Sequence, residues 1–316
     1  MTVVIREASD DGDLATIVEI VDAVTPNDPS SIEEIRWADS TYPGTTRLLA
    51  ELGGRPVGVG TVGRMFVHPP EYDGLWATIA VLADARRQGA GTELLARISD
   101  RARAAGKGWL HIPVTEDHPD GIAFLEHRGF TEYERSKMVR LDLAGLAAPP
   151  IGLPDGIRLT TLAERPDLVE GVRDVAVEVF PDIPGGEDPI SVGDLEEFRA
   201  RDVDRPGIPH DAFMVALESA SGRVVGYASL ILQPGSRSVA WHDMTGVRPD
   251  WRGRGLAGAL KRATVGWAIA NGLDALETGN DIDNAPMRAV NARLGFRPLP
   301  DFLVMRGRPL GRIMEA

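Results

Sequence analysis

Val247-Arg-Pro-Asp-Trp-Arg252-Gly253-Arg254-Gly255-Leu256-Ala257 joins the end of a β-rich run to the start of a helical one. Val81-Leu-Ala-Asp-Ala-Arg86-Arg-Gln88-Gly89-Ala-Gly91, 166 residues earlier, is written to the same plan. The correspondence continues without a gap: Leu94, Ala104, Gly106, Leu110, Asp117, Ala123, Gly129 and Phe130 fall on Leu260, Ala270, Gly272, Leu276, Asp283, Ala289, Gly295 and Phe296. Glycines in register over that distance mark an internal duplication, which decides the architecture before any single motif does.

The seam between the copies is legible too. Leu143-Ala-Gly-Leu-Ala-Ala-Pro-Pro-Ile-Gly-Leu-Pro-Asp-Gly156 is small, rich in proline and glycine and poor in charge, as a linker is. Each side of it opens alike, with Val3-Val-Ile-Arg and Ile157-Arg-Leu-Thr, followed by helix-like runs. The expected organisation is a first domain at 1–146, a linker at 147–156 and a second domain at 157–316. The second copy carries extra residues, mostly within Pro181 to Pro209, a polar segment rich in proline and glycine. Further on, Ala212-Phe-Met-Val-Ala-Leu and Val224-Val-Gly-Tyr-Ala-Ser-Leu-Ile-Leu read as strands separated by a Ser219-Ala-Ser-Gly turn. Val239 to Val247 reads as another strand and Leu256 to Asn271 as a long helix, with Gly272 as its left-handed cap. A strand at Leu273, a short helix from Ala285 to Arg293 and a strand at Phe302-Leu-Val-Met-Arg complete the copy.

Composition narrows the function. The 316 residues are 43% hydrophobic and 26% charged, an ordinary globular balance. Thirty-four basic residues against 47 acidic ones give a net charge of −13, which disfavours a nucleic-acid partner. With no cysteine there is neither a disulfide, nor a thiolate metal site, nor a cysteine nucleophile. The six histidines lack clustered ligand partners, so no metal is expected. No window is long and apolar enough to span a membrane, and no secretion signal is visible at Met1, so the expectation is a cytoplasmic chain, monomeric or homodimeric.

The glycine loop carries chemistry of its own. A chain that enters a helix through glycines presents unpaired N–H groups to one point, and the helix dipole adds positive potential there. Such a place binds an anion, and Arg252 and Arg254 add charge-assisted bonds. The G-x-G-x-x-G spacing of dinucleotide folds is missing, and no Lys-Ser/Thr follows as in a Walker loop.

Arg252-x-x-Gly255-x-Ala257 after a strand ending in valine, with Asn284-x-x-Met287-x-x-x-Asn291-x-x-x-Gly295-Phe296 beyond it, resembles the GCN5-related N-acetyltransferase family. The resemblance spans nearly the whole chain as two tandem copies, similar to mycothiol synthase-type proteins. It implies an α/β fold of two tandem domains, each a central, mostly antiparallel sheet flanked by helices. It implies acetyl-CoA as acyl donor, gripped by Val247, Arg252, Gly253, Arg254, Gly255, Leu256 and Ala257, with Asn284 on the pantetheine arm. Arg86, Gln88, Gly89 and Gly91 are the matching cofactor positions of the first copy. The implied reaction is transfer of acetyl to a primary amine of a small molecule. A chain that binds acyl-CoA without turnover, as a sensor, is the alternative.

The family often places an acidic base four residues before the valine, which here is Asp243. Alternation sets Asp243, Thr245 and Val247 on one face of the strand and turns His242, the runner-up, to the other. A base at Asp243, or a merely structural carboxylate there, both fit the sequence, as do an arm ligand and a plain helix cap at Asn284. Asn291 stands where many members carry a tyrosine acid, and an amide cannot donate a proton at a useful pKa. Shifted by 166 residues, Asp243, Asn284, Met287 and Asn291 become Ala77, His118, Gly121 and Leu125, so the first domain is expected to be idle. The acidic stretch Asp182, Glu187, Asp188, Asp194, Glu196, Glu197, Asp202 and Asp204 either attracts a cationic acceptor or is a solvated loop.

Overall fold

The computed structural model describes residues 2–185, 188, 190–234 and 238–311, in two compact units. The first comprises residues up to Arg135 together with those from Asp301 onward, and the second runs from Ser136 to Pro300.

In the first unit β1 (Val3–Glu7), α1 (Asp11–Val24), α2 (Ile32–Thr41), β2 (Thr46–Leu52), β3 (Arg55–Arg64) and β4 (Gly74–Val81) precede the first glycine loop. Both helices begin at side-chain caps, Asp10 accepting from the Asp13 N–H and Ser31 from the Glu34 N–H. Beyond the loop come α3 (Ala90–Ala104), β5 (Trp109–Thr115) and α4 (Pro119–Glu126). The strand β6 (Thr131–Asp142) carries the chain out of this unit at Arg135. The sheet order is β1-β2-β3-β4-β5, completed by β13 (Phe302–Gly307). Neighbours are antiparallel except β4 and β5. Leu94, Leu95 and Ile98 of α3 are fully buried in this unit's core, on one stripe at helical spacing.

The second unit repeats the plan. β7 (Ile157–Thr161), α5 (Val169–Val179), α6 (Leu195–Phe198), which runs on as a π-turn at Arg199–Val203, β8 (Met214–Glu218), β9 (Val224–Leu232) and β10 (Val239–Val247) lead to the second loop. Then follow α7 (Leu256–Ala270), β11 (Ala275–Asp281), α8 (Ala285–Arg293) and the short β12 (Arg297–Pro298). The order is β6-β11-β10-β9-β8-β7, with β12 also paired to β6. β9 is buried on both faces over most of its length, which explains its unbroken apolar run. One face packs on α5 through Val172, Val175 and Tyr227, the other on α7 through Leu256 and Leu260. The helices α3 and α7 and the strands β5 and β11 begin and end 166 residues apart, so the duplication seen in the sequence is a duplication of structure.

The expected boundaries at 147–156 and 157–316 are corrected at the last strand. Phe302 to Gly307 closes the first unit, pairing with Thr115 to Leu110 of β5, whereas Ser136 to Asp142 of β6 pairs with β11 in the second. Leu303, Val304 and Met305 are almost fully buried there, each contributing about 1.5–3 kcal/mol. Gly307 lies against the Phe130 ring, where an added Cβ would fall 2.5 Å from Cγ. Two like sheets offer the same vacant edge, and nothing local in a strand states which edge it fills.

Candidate active site

The strands on either side of the second unit's centre separate. β10 and β11 pair in parallel only from Val239 to Trp241 and then diverge. Across β9 the register shifts: His242 faces Leu230 but Thr245 faces Ala228, so Asp243 and Met244 together oppose Ser229. This is a β-bulge, and a bulge re-aims the side chains that follow it. The Arg248 N–H bonds to Val225 O on β9, so by alternation the N–H groups of Thr245 and Val247 face the diverging side.

The gap opens into a cavity of about 1170 Å³ whose wall includes Met244 to Val247, the loop residues Arg252, Gly253 and Gly255, the start of α7 and much of α8. Gly253 and Gly255 both hold left-handed backbone (φ 73° and 82°), and an added Cβ at either would meet no protein atom within 4 Å. Gly255 caps α7 without any side-chain bond, leaving the first N–H groups of the helix without a side-chain partner. A cradle of amides, a helix dipole and open space above the glycines suit a diphosphate.

Of the expected cofactor residues, Val247, Arg252, Gly253, Gly255, Leu256, Ala257 and Asn284 line this cavity. Arg252 Nε donates to Val247 O at 3.0 Å and Nη1 to Asp182 at 2.8 Å, bracing the strand end against the loop. Arg254 is not on the wall: it donates to Asp250 O and lies over the Trp251 ring. Asn284 caps α8, accepting from the Met287 N–H, while it also borders the cavity. The sequence reading missed Arg262, one turn along α7 from Gly258, and Arg293 of α8, both on the wall. It also missed Leu146, Ala147 and Pro149 of the linker, which run along the cavity while Arg262 donates to Ile151 O. Helical spacing from Gly258 could have found Arg262; nothing local marks the linker.

The catalytic expectations need three corrections. Asp243 does not share a face with Thr245 and Val247, because the bulge breaks the alternation. Val247 packs toward α7, whereas Asp243 accepts from Ser229 Oγ at 3.3 Å beside Tyr227 and the segment carrying Arg201, Asp202 and Arg205. Burial raises its carboxyl above the ordinary range, against the pull of Arg205, the Met244 N–H, Ser229 and Arg201. Asp202 is pushed up to about 6 by burial, with Arg201 opposing and Asp243 adding to the rise. His242 does turn the other way, but into the protein: it is fully buried, bonded through Nε2 to Thr264 of α7 at 2.9 Å, and out of reach of an acceptor. Asn291 is buried and donates to Asn280 Oδ1 at 2.6 Å, away from the cavity wall.

The acidic segment is largely bonded within itself or to the loop. Asp182 takes Arg252, Asp194 caps α6, Asp202 takes Arg201 and Asp204 takes Arg199. Glu187 lies outside the described residues. In the first unit larger side chains occupy the equivalent place. Phe124 lies 3.5 Å from where a Gly91 Cβ would be, and Arg128 covers that ring and donates to Thr92. Their counterparts Val290, Leu294 and Gly258 line the open cavity. Arg86 still braces Val81 O at 3.1 Å, Gln88 donates to Asp84 O, and Gly89 keeps its left-handed turn.

The acetyltransferase (GNAT) family model matches residues 15–130 and again 176–296. A mycothiol acetyltransferase of Saccharomonospora viridis is 31% identical over 220 residues, covering 67% of each chain. Another, from Clavibacter michiganensis, is 28% identical over 84% of this chain and 81% of its own. Among solved structures, a tandem GNAT protein from the clavulanic acid biosynthesis pathway superposes with a TM-score of 0.78 at 21% identity, over 98% of this chain and 99% of that one. A GCN5-related N-acetyltransferase from Sphaerobacter thermophilus gives 0.74 at 18% identity, over 98% and 97%. The chain belongs to the GNAT acetyltransferase family, as a tandem member and an N-acetyltransferase.

Proposed function

We propose that the second unit transfers acetyl from acetyl-CoA to a primary amine of a small molecule and that the first unit does no chemistry. One observation carries this reading: in the second unit the bulge holds a carboxylate one residue from Met244 of the open cavity's wall, while in the first larger side chains fill the equivalent place and the strand is unbroken. The α7 N–H groups at Leu256 to Gly258, with Arg252 and Arg262, hold the diphosphate. The exposed edge of β10 and Asn284 line the path of the pantetheine arm. Thr245 Oγ1, buried on this wall without a hydrogen-bond partner, is a polar atom left for a ligand to satisfy.

The chemistry needs two things from the chain. An amine with a pKa near ~10 is protonated at neutral pH, which withholds about 4 kcal/mol of nucleophile. Asp243, its carboxylate made more basic by burial, takes that proton. As the C–N bond forms, the N–H groups on the diverging side of β10 stabilise the oxyanion, each such donor contributing roughly 3–4 kcal/mol. The C–S bond then breaks, and a thiol with a pKa of about 8.5 leaves as the thiolate without a protein acid, taking up the second proton that the nitrogen sheds as it becomes an amide. Asn291 takes no part. Thiol release from acetyl-CoA against a panel of small amines tests the activity, and calorimetry tests the division of labour. One acetyl-CoA bound per chain supports the reading; two, or none, overturns it.

A further inference from the structure

The bulge begins at a residue held from two directions. His242 is fully buried, and its imidazole meets Thr264 Oγ1 of α7 at 2.9 Å. That hydroxyl also donates to Lys261 O at 2.9 Å, and its single proton is thereby used. Nε2 of His242 is therefore the donor in the pair, which assigns the tautomer. Burial, with Lys261 nearby, keeps the imidazole neutral. The backbone carbonyl of His242 accepts from Thr278 Oγ1 of β11 at 2.9 Å, one residue beyond the last β10–β11 pair. This bond lies where the strands part, although β4 and β5 of the first unit part at the matching place without one, so what it holds is the His242 carbonyl at the start of the bulge.

The first unit shows the same strand without this clasp. Ala77 pairs with Val62 and Ile79 with Gly60 in an unbroken register, whereas the matching pairs of the second unit, at His242 and Thr245, enclose one residue more. The residue aligned with His242 by pairing is Ala77, and Thr264 and Thr278 correspond to Ile98 and Ile112. All three apolar side chains are buried in the core, and no bulge forms.

We propose that His242 is a positioning residue: clasped by Thr264 through its side chain and by Thr278 through its carbonyl, it holds the bulge that aims Asp243 and the free amides of β10. The inference rests on the second unit being the active one. Thr264→Val and Thr278→Val keep the shape and remove the hydroxyl, and displacement of aligned groups lowers kcat about tenfold to a hundredfold. The KM for acetyl-CoA stays within about twofold, since the diphosphate loop is untouched. Thr264→Ser and Thr278→Ser restore kcat, which a merely space-filling role would not produce. Folded valine variants with unchanged kcat, or losses that serine does not rescue, overturn the clasp. If the wild-type chain releases no thiol with any amine, the functional reading fails on its own. The clasp is then decided by the crystal structure of the Thr278→Val variant, where a retained bulge between His242 and Thr245 overturns it and a lost one supports it.

Discussion

Two strands of common descent end in the same valine and the same arginine brace, yet they prepare different ground. In β4 the sequence Trp76-Ala-Thr-Ile pairs evenly with β3, and Thr78 shares a hydroxyl–hydroxyl contact of 2.6 Å with Thr61. In β10 the sequence Trp241-His-Asp-Met-Thr spends one residue more over the same span, and Asp243 takes the place of Thr78 opposite Ser229. Around them the cores diverge in kind: Leu95, Ile98, Ile112, Val114 and Leu125 are replaced by Lys261, Thr264, Thr278, Asn280 and Asn291. At these five positions the first unit is apolar, although elsewhere it too buries polar groups, Ser99 Oγ among them without a hydrogen-bond partner. The second buries polar groups, some with bonds missing, as at His242 Nδ1 and Asn291 Oδ1. Buried, imperfectly satisfied polarity is costly, and it gathers where a site needs geometry that close packing alone would not hold.

The contrast breaks most decisively at Asp243. Asp243→Asn lowers kcat by 10²- to 10⁴-fold, measured as thiol release, because it removes the base and keeps the shape. The raised carboxyl also sets a direction in pH. A base works when deprotonated, so activity falls as pH drops through a value above the ordinary 3.8, and that acidic limb disappears in the asparagine variant. A limb that persists would assign it to another group.

Stability carries the next largest effect. Burial pushes the Lys261 amine from 10.5 down to about 7, and at roughly 1.4 kcal/mol per pH unit this costs on the order of 4–5 kcal/mol at neutral pH. Between those two values the unfolded chain binds more protons than the folded one, so this cost shrinks as pH rises from 7 toward 10.5. Lys261→Leu, which gives α7 the residue that α3 has at Leu95, raises Tm by several degrees at pH 7 and by much less at pH 10. An equal gain at both values would rule out desolvation as the cause.

Arg252→Ala removes both the brace on Val247 O and a cation of the cavity wall, and it raises the KM for acetyl-CoA about tenfold. Arg86→Ala, the same change in the first unit, leaves KM unaltered; equal effects would erase the proposed division between the units. The smallest test is at the loop backbone. Arg87 holds a left-handed φ of 62° where the second copy has Gly253 at 73°. Arg87→Gly relieves about 1 kcal/mol of strain, offset in part by the entropy that glycine adds to the unfolded chain. Gly253→Ala costs about the same, with denaturant midpoints as the measure.

Much of this was legible in the residues. Glycine spacing gave the duplication, the loop and the long helix of the second copy to within a residue, because a left-handed turn before a helix is encoded in a few adjacent side chains. The placement of Asp243 was not legible. Ungapped alignment sets it on Ala77, whereas strand pairing sets His242 there, and one inserted residue suffices to turn the carboxylate to the other face. The filling of the equivalent place in the first unit by Phe124 and Arg128 looked like ordinary sequence variation, since filling depends on what stands opposite.

From the sequence alone follow the tandem repeat, the anion-binding loop and the family, all fixed by local sterics and short spacings. Only the tertiary structure decided that the last strand closes the first unit, that the linker borders the cavity, and that Asp243 sits on a bulge away from Val247. Those facts are matters of register and partnership between distant segments, and pairing energy is shared across the whole sheet, where no short stretch of residues records it.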